Sequence, residues 1–325
     1  MEFHIKILLL SFVVSTILGI IIIPILKLFK VGQIERSDGP ESHLKKQGTP
    51  TMGGIIIAAA VFIVCTFLYV QYSKKDITLA RNILPLLFVT IGFGLVGFID
   101  DFKKLVLKNT KGLKPLYKMI GLLIVAVIYT LFLTNVLKIG TDIYIPFIKE
   151  YINLPMWAYI PFAIFVLLGT TNAVNLTDGI DGLSTTVTTI ILTCLTVISI
   201  IFGVKEVTLV GSALVGACLG FLLFNLHPAK VFMGDTGSLL LGGAIAGISL
   251  YLKNPLILII IALIPIIETI SVMMQVAFFK KTGKRIFKMA PIHHHFELSG
   301  WSENKVVSVF SIITLALCII GIYGV

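Results

Sequence analysis

The stretch LPLLFVTIGFGLVGFIDDFKK, residues 84–104, decides the fold. Its apolar body ends on two adjacent carboxylates, Asp100 and Asp101, and then on Lys103 and Lys104. An apolar helix of about 20 residues crosses roughly 30 Å of hydrocarbon. Working outward, similar runs fill the chain, at approximately 5–30, 52–72, 80–99, 116–137, 155–173, 184–203, 206–226, 237–253, 255–279 and 305–325. Backbone groups in lipid must be satisfied within the segment, so continuous apolar runs read as helices, whereas a barrel would need short alternating segments. Composition agrees. Of 325 residues, 57% are hydrophobic and 13% charged, against roughly 25% charged in a soluble domain. The expectation is an all-α polytopic membrane protein with about ten transmembrane helices, one integral membrane domain over 1–325. The first run is long for a signal-peptide core and has no small-residue cleavage site behind it, so it reads as a span. Cys65, Cys194, Cys218 and Cys318 stand singly inside apolar runs, which implies packing rather than disulfides or a metal site.

Alternate connections share one side of a membrane. Asp100-Asp101, Asp178, Asp181, Asp235 and His293-His294-His295 all fall in alternate connections, so the polar chemistry converges on one face. That face also carries 18 of the 26 Lys and Arg residues. The positive-inside rule puts it in the cytoplasm and both termini outside. Most of these cations serve topology and contact with anionic headgroups; a minority are available for a phosphorylated substrate.

Five segments carry the chemistry. Two neighbouring carboxylates at a membrane surface repel each other and resist desolvation, and a cation relieves both costs. In NAVNLTDGIDGLS (172–184), Asn172, Asn175, Asp178 and Asp181 recur every third residue, the spacing of one helix face, and Gly179 and Gly182 let the backbone turn or approach a ligand. In HPAKVFMGDTGSLLLGG (227–243), Gly234 and Gly237 flank Asp235. Asp-Thr-Gly-Ser, ending at Ser238, reads as an N-cap opening a helix, and such an N-terminus also suits phosphate. Phe232 beside it can stack on a base or anchor the interface. In KMAPIHHHFELSGWSE (288–303), Ala290 precedes the three histidines. Neighbouring helical residues point about 100° apart, so three in a row rarely share a metal. Binding phosphate oxygens or supporting other polar groups fits them better. Lys45, Lys46, Gly48, Thr49, Thr51, Gly53 and Gly54 in KKQGTPTMGG can approach a phosphate, or simply start a helix. Glu268 lies inside the ninth run, where a carboxylate is either functional or a buried hydrogen-bonding group. Pro265 should kink that run.

Together, GTPTMGG, DDF, NLTDGIDGL, HPAKVFMGDTGS and APIHHHFE resemble, in order and spacing, the phospho-N-acetylmuramoyl-pentapeptide transferases, within the polyprenyl-phosphate N-acetylhexosamine-1-phosphate transferase superfamily. The resemblance covers nearly the whole chain. It implies transfer of phospho-MurNAc-pentapeptide from UDP-MurNAc-pentapeptide to undecaprenyl phosphate, giving lipid I and UMP with Mg²⁺, in the bacterial cytoplasmic membrane. It also implies a homodimer, and no nucleic-acid partner is expected. By motif matching, Asp235 would hold the metal, and Asp100 and Asp101 would handle the lipid phosphate or metal. Asn175, Asp178, Gly179 and Asp181 would shape the nucleotide pocket, with Lys46 and Phe232 on uracil. Asn225, Gln275, His293, His294 and His295 would line the cleft, with Thr51, Gly234, Ser238 and Ala290 in the substrate site. Lys114 and Lys118 would offset the charge of two anions meeting. Direct attack by the lipid phosphate competes with a phospho-aspartyl intermediate. Direct attack is favoured, with Asp100 as a residual base, because a phosphate monoester with a second pKa near 6 is already mostly dianionic at pH 7. The alternatives are a UDP-GlcNAc-using relative, disfavoured by the loop at 285–301, and a transporter, which would keep its acids mid-span.

Overall fold

The structure is a computed structural model that describes residues 2–28, 48–105 and 112–325. The helices are α1 (Glu2–Leu28), α2 (Gly54–Ser73), α3 (Ile77–Leu105) and α4 (Pro115–Leu131), the last continued by a π turn, Phe132–Val136. After a hairpin, β1 (Asp142–Ile145) and β2 (Glu150–Asn153), come α5 (Met156–Thr177), α6 (Leu183–Ile201), α7 (Lys205–Asn225) and α8 (Gly234–Tyr251). The chain ends with α9 (Leu258–Ile261), α10 (Leu263–Thr282), α11 (Ile292–Glu297) and α12 (Glu303–Tyr323). Among the described residues, nine helices are long and apolar enough to cross a membrane. The protein is a multi-pass helical membrane protein.

The remaining expected span, the run at 237–253, is α8, which is less apolar and packed inside the bundle: every residue from Thr236 to Tyr251 is buried. Its glycines set the packing. Added Cβ atoms would strike the Thr171 backbone of α5 from Gly242, and Phe93 and Val89 of α3 from Gly243 and Gly247. Gly237 meets Gly54 of α2, and Gly97 of α3 lies against the Asp235 carbonyl. Small residues let helices approach closely where no hydrophobic gain from water drives them together. So α8 is the post around which α2, α3 and α5 stand.

Several expectations need correction. Asp100 and Asp101 do not lie in a loop. Helix α3 runs through them to Leu105, because both are buried, at 3% and 4% exposure, and other elements satisfy their oxygens. The run at 255–279 is not one helix. A 3₁₀ turn (Pro255–Ile257) and α9 precede a break at Ala262. Pro265 explains it: its ring cannot sit over the carbonyl four residues back, at Ile261, and it has no N–H to donate there. The histidine run is not a loop but lies in α11. The fold is also not wholly α. β1 and β2 pair antiparallel, with Asp142 opposite Asn153, and Phe147 and Lys149 turn the chain at φ 69° and 61°.

The hairpin marks the end of the bundle away from the carboxylates. The Tyr144 N–H donates to the Lys253 carbonyl at 2.7 Å, the Phe147 N–H donates to the Gly324 carbonyl at 2.7 Å, and Lys253 pairs with Asp142 at 3.1 Å. Helix α1 runs parallel to α7, with Leu8 against Gly216 and Phe12 against Gly220. The Ser11 and Ser15 hydroxyls donate to the Ala213 and Ala217 carbonyls at 2.6 and 2.8 Å. Both chain ends therefore lie at the hairpin end. The four cysteines are buried and free.

Candidate active site

The site grows from the start of α8. The four leading N–H groups of a helix have no partner within it, and its N-terminus carries partial positive charge. The local sequence does not cap this one: Met233 is the N-cap residue and makes no side-chain cap bond. Asp101, arriving from α3, does so instead. Its Oδ1 accepts from the Asp235 N–H at 3.2 Å. Its Oδ2 accepts from the Thr236 N–H at 2.8 Å and from the Thr236 hydroxyl at 2.6 Å. The expected N-cap role of Asp235 is thereby corrected: Asp235 sits inside the first turn, where its side chain is free to face the cleft.

Asp235 is the hub of that cleft. Its Oδ2 accepts from Lys104 at 2.8 Å and Lys118 at 3.0 Å. Its Oδ1 accepts from the Asn175 amide at 2.7 Å, and that amide also reaches Ser238 Oγ at 2.8 Å. The Ser238 hydroxyl donates to the Gly234 carbonyl at 3.0 Å. Asp100 Oδ2 pairs with the same lysines, at 2.8 Å to Lys104 and 3.5 Å to Lys118, while its Oδ1 accepts from the Leu113 N–H at 2.7 Å. The adjacent carboxylates thus do different work: Asp100 holds the ammonium groups, and Asp101 holds the helix. With both oxygens engaged, Asp100 suits an anchor better than a base.

The turn after α5 closes the other side. The Asp178 carboxyl faces the Gly234 N–H. Although Asp178 keeps some solvent contact, desolvation by its surroundings, aided by Asp235, Asp101 and Asp181, pushes its carboxyl up to about 8. Gly234 has φ 74°, and a Cβ there would lie 2.8 Å from Asp101 Oδ2 and 2.9 Å from Thr51 Oγ1, so Thr51 joins the cluster by packing. Phe232 is half-buried, and its backbone forms a short ladder with Pro50 and Gly53, at 2.8 and 2.9 Å.

Other expected residues lie elsewhere or serve first as braces. Asn225 is buried: its amide donates to the Val231 carbonyl at 3.0 Å and its oxygen accepts from Thr185 at 2.7 Å, which folds the 226–231 turn. Gln275 accepts from the Ile286 and Phe287 N–H groups and donates to the Phe287 carbonyl, each at 3.0 Å. Asp181 Oδ2 accepts from the Ala229 N–H and contacts the His227 ring, both at 3.0 Å. Asp181, His227 and Glu303 bring three possible ligand atoms within 4.8 Å of one another, an arrangement that the bonds of Asp181 to the turn already explain. The histidines face three ways. His293 is buried beside Glu268, His294 meets Glu297 at 2.8 Å, and His295 accepts from the Lys288 N–H at 3.1 Å. Ala290 joins Pro291 through a cis peptide just before them. Lys114 is exposed at the start of α4 and, among the described residues, makes no ion pair. Lys46 lies outside the described residues. Sequence reading missed Lys104 and Thr236. The four-residue spacing of Asp100 and Lys104 was a usable signal for the first; none marked the second.

The geometry is that of a multi-pass membrane protein whose bundle gathers carboxylates, ammonium groups and a helix N-terminus at one end. The model of glycosyl transferase family 4 matches residues 83–253, just over half of the chain and nearly all of that cluster. The fold and site are thus those of a membrane glycosyl transferase. Signature 1 of the phospho-N-acetylmuramoyl-pentapeptide-transferases matches residues 46–57. A protein of that name from Acetivibrio thermocellus is 50% identical over 99% of this chain and 95% of its own length. Another, from Clostridium perfringens, is 52% identical over 96% and 95%, and one from Halalkalibacterium halodurans is 49% identical over 97% and 95%. The chain belongs to the phospho-N-acetylmuramoyl-pentapeptide-transferase family.

Proposed function

We propose that the protein transfers phospho-MurNAc-pentapeptide from its UDP donor to undecaprenyl phosphate, releasing UMP and leaving lipid I. The observation that carries the reading is the convergence of Lys104 and Lys118 on Asp235 and Asp100, at 2.8 to 3.5 Å, beside the N-terminus of α8. Two anions must meet in this reaction, and phosphoryl transfer depends on positioning and charge neutralisation more than on covalent chemistry. The ammonium groups of Lys104 and Lys118 neutralise the approaching phosphates. An oxygen of the lipid phosphate forms its bond to the β-phosphorus of the donor, and the bridging oxygen leaves on UMP. Asp100 anchors the lysines, Asn175 and Ser238 fix Asp235, and Asp178 and Asp181 set the turn that faces the nucleotide. An apolar groove lined by Ile55, Ala58, Ile91, Leu95, Phe98 and Thr236 is a suitable approach for a lipid acceptor.

The residues fit Mg²⁺. Lys104 Nζ already stands 2.8 Å from an oxygen of both Asp100 and Asp235, so one cationic position is shared by two hard donors, and Mg²⁺ needs only one or two carboxylates because it keeps waters. Asp235 would hold it, with Asp100 alongside, and the bound ion would polarise the reacting phosphoryl group.

The excess of Lys and Arg at the carboxylate end supports a cleft facing the cytoplasm, with both termini outside. The family resemblance supports a homodimer, which native mass spectrometry in lipid nanodiscs would count directly. UMP release with UDP-MurNAc-pentapeptide and UDP-GlcNAc offered in parallel tests the substrate. Release with the muramoyl donor alone is expected. Release with UDP-GlcNAc would keep the chemistry and overturn the donor.

A further inference from the structure

Glu268 of α10 and His293 of α11 are each fully buried, at 0% exposure. Glu268 Oε2 lies 3.1 Å from His293 Nδ1 and accepts from the His293 backbone N–H at 3.5 Å. The ring contact is close but off the line of a full hydrogen bond. Glu268 Oε1 and both ring nitrogens of His293 have no hydrogen-bond partner among the described residues. Buried polar atoms without partners are uncommon, and each one calls for an explanation.

Their surroundings supply one. On its far side, the His293 ring presses Nε2 against Gly179 so closely that a Cβ on Gly179 would collide with it. Gly179 follows Asp178, whose carboxyl faces the Gly234 N–H. The contacts therefore run from a carboxylate inside the bundle, through one imidazole, to the turn beside Asp235. The two neutral forms of the ring are not equivalent here. With the proton on Nδ1, the ring offers an N–H to Glu268 and a lone pair to the turn. With the proton on Nε2, it would aim a lone pair at the carboxylate and bury an N–H against the Gly179 methylene. Orphaned N–H groups are the rarer of the two defects.

We propose that Glu268 is a positioning residue. It holds His293 in the Nδ1–H form with Nε2 turned against Gly179, and so sets the 178–181 turn for the nucleotide half of the donor. This rests on the proposed role of that turn in the nucleotide pocket. Glu268 acts through His293 and touches neither substrate.

The test uses the full chain in lipid nanodiscs with ¹⁵N-labelled histidine rings, the His293 signals being identified by their loss in His293→Gln. A neutral ring protonated at Nδ1 is expected in the wild type. Glu268→Leu should shift the ring toward Nε2–H and raise the KM for UDP-MurNAc-pentapeptide by about tenfold or more, the scale on which a histidine's orienting partner acts. The KM for undecaprenyl phosphate should stay put. Glu268→Gln keeps an acceptor oxygen and should restore both the tautomer and most of the donor KM. A merely structural role would lower kcat with both KM values unchanged. An Nε2–H ring in the wild type would overturn the proposal whether or not any variant folds, as would a wild-type tautomer and donor KM in Glu268→Leu. If the wild type turns over no muramoyl donor, the function reading fails. The tautomer and the affinity for UMP then judge the positioning role on their own.

Discussion

Replacing Asp101 with alanine should damage the protein differently from the same change at Asp100, although the two residues are neighbours. Asp101 is the cap of α8, taking two N–H groups and one hydroxyl from Asp235 and Thr236 at 2.6 to 3.2 Å. Loss of a helix cap costs about 0.5–2 kcal/mol. The Thr236 N–H would also be left buried without a partner, at about 1–3 kcal/mol. Together these give roughly 1.5–5 kcal/mol, concentrated on the central helix. Asp100 instead binds lysines and the Leu113 N–H near the mouth of the cleft. Thermal unfolding of purified protein in detergent, followed by intrinsic fluorescence, should place Asp101→Ala several degrees below wild type. Asp101→Asn, which keeps an acceptor oxygen, should fall between. Asp100→Ala should unfold near wild type yet release little UMP. An Asp101→Ala midpoint indistinguishable from wild type, or one no lower than that of Asp100→Ala, would refute the division of labour.

Three further outcomes follow. Asp178 is pushed up to about 8, far above an ordinary carboxyl, so the folded state holds that proton more tightly than the unfolded chain. Its stabilising contribution is full below the unfolded pKa near 4 and is lost as pH rises through about 8. Unfolding midpoints between pH 6 and 9 should therefore fall more for wild type than for Asp178→Asn. Gly54→Ala drives a methyl into the Gly237 backbone, an overpacking that should cost about 1–3 kcal/mol and appear as a lower midpoint or poor yield. Lys118→Ala removes one of two ammonium groups from Asp235 Oδ2, and kcat for UMP release should drop about 100-fold, the scale of losing one preorganised donor.

Much of this was legible because lipid imposes simple rules. Continuous apolar runs locate the helices, and their alternation brings Asp100, Asp101, Asp178 and Asp235 to one end. What escaped depends on contacts that local sequence does not encode. The cap of α8 comes from Asp101, 134 residues away from Asp235. Helix α3 could outlast its apolar run only because those distant groups wait for its carboxylates. The hairpin was hidden by size. DIYI and EYIN are four residues each, rich in β-branched and aromatic side chains, and lie in what reads as a connection between spans. The break at Ala262 was half legible, since Pro265 flagged it but not its position. Glu268 stood out as an acid inside an apolar run, but nothing in the sequence named His293 as its partner.

The central claim is that the cluster around Asp235 performs the transfer. Its most direct measurement is formation of radiolabelled lipid-linked product by wild type and Asp235→Asn, with undecaprenyl phosphate, labelled UDP-MurNAc-pentapeptide and Mg²⁺ and with unfolding midpoints matched. The account predicts product from wild type, lost on chelation, and essentially none from Asp235→Asn. Product formation by Asp235→Asn at the wild-type rate would contradict it.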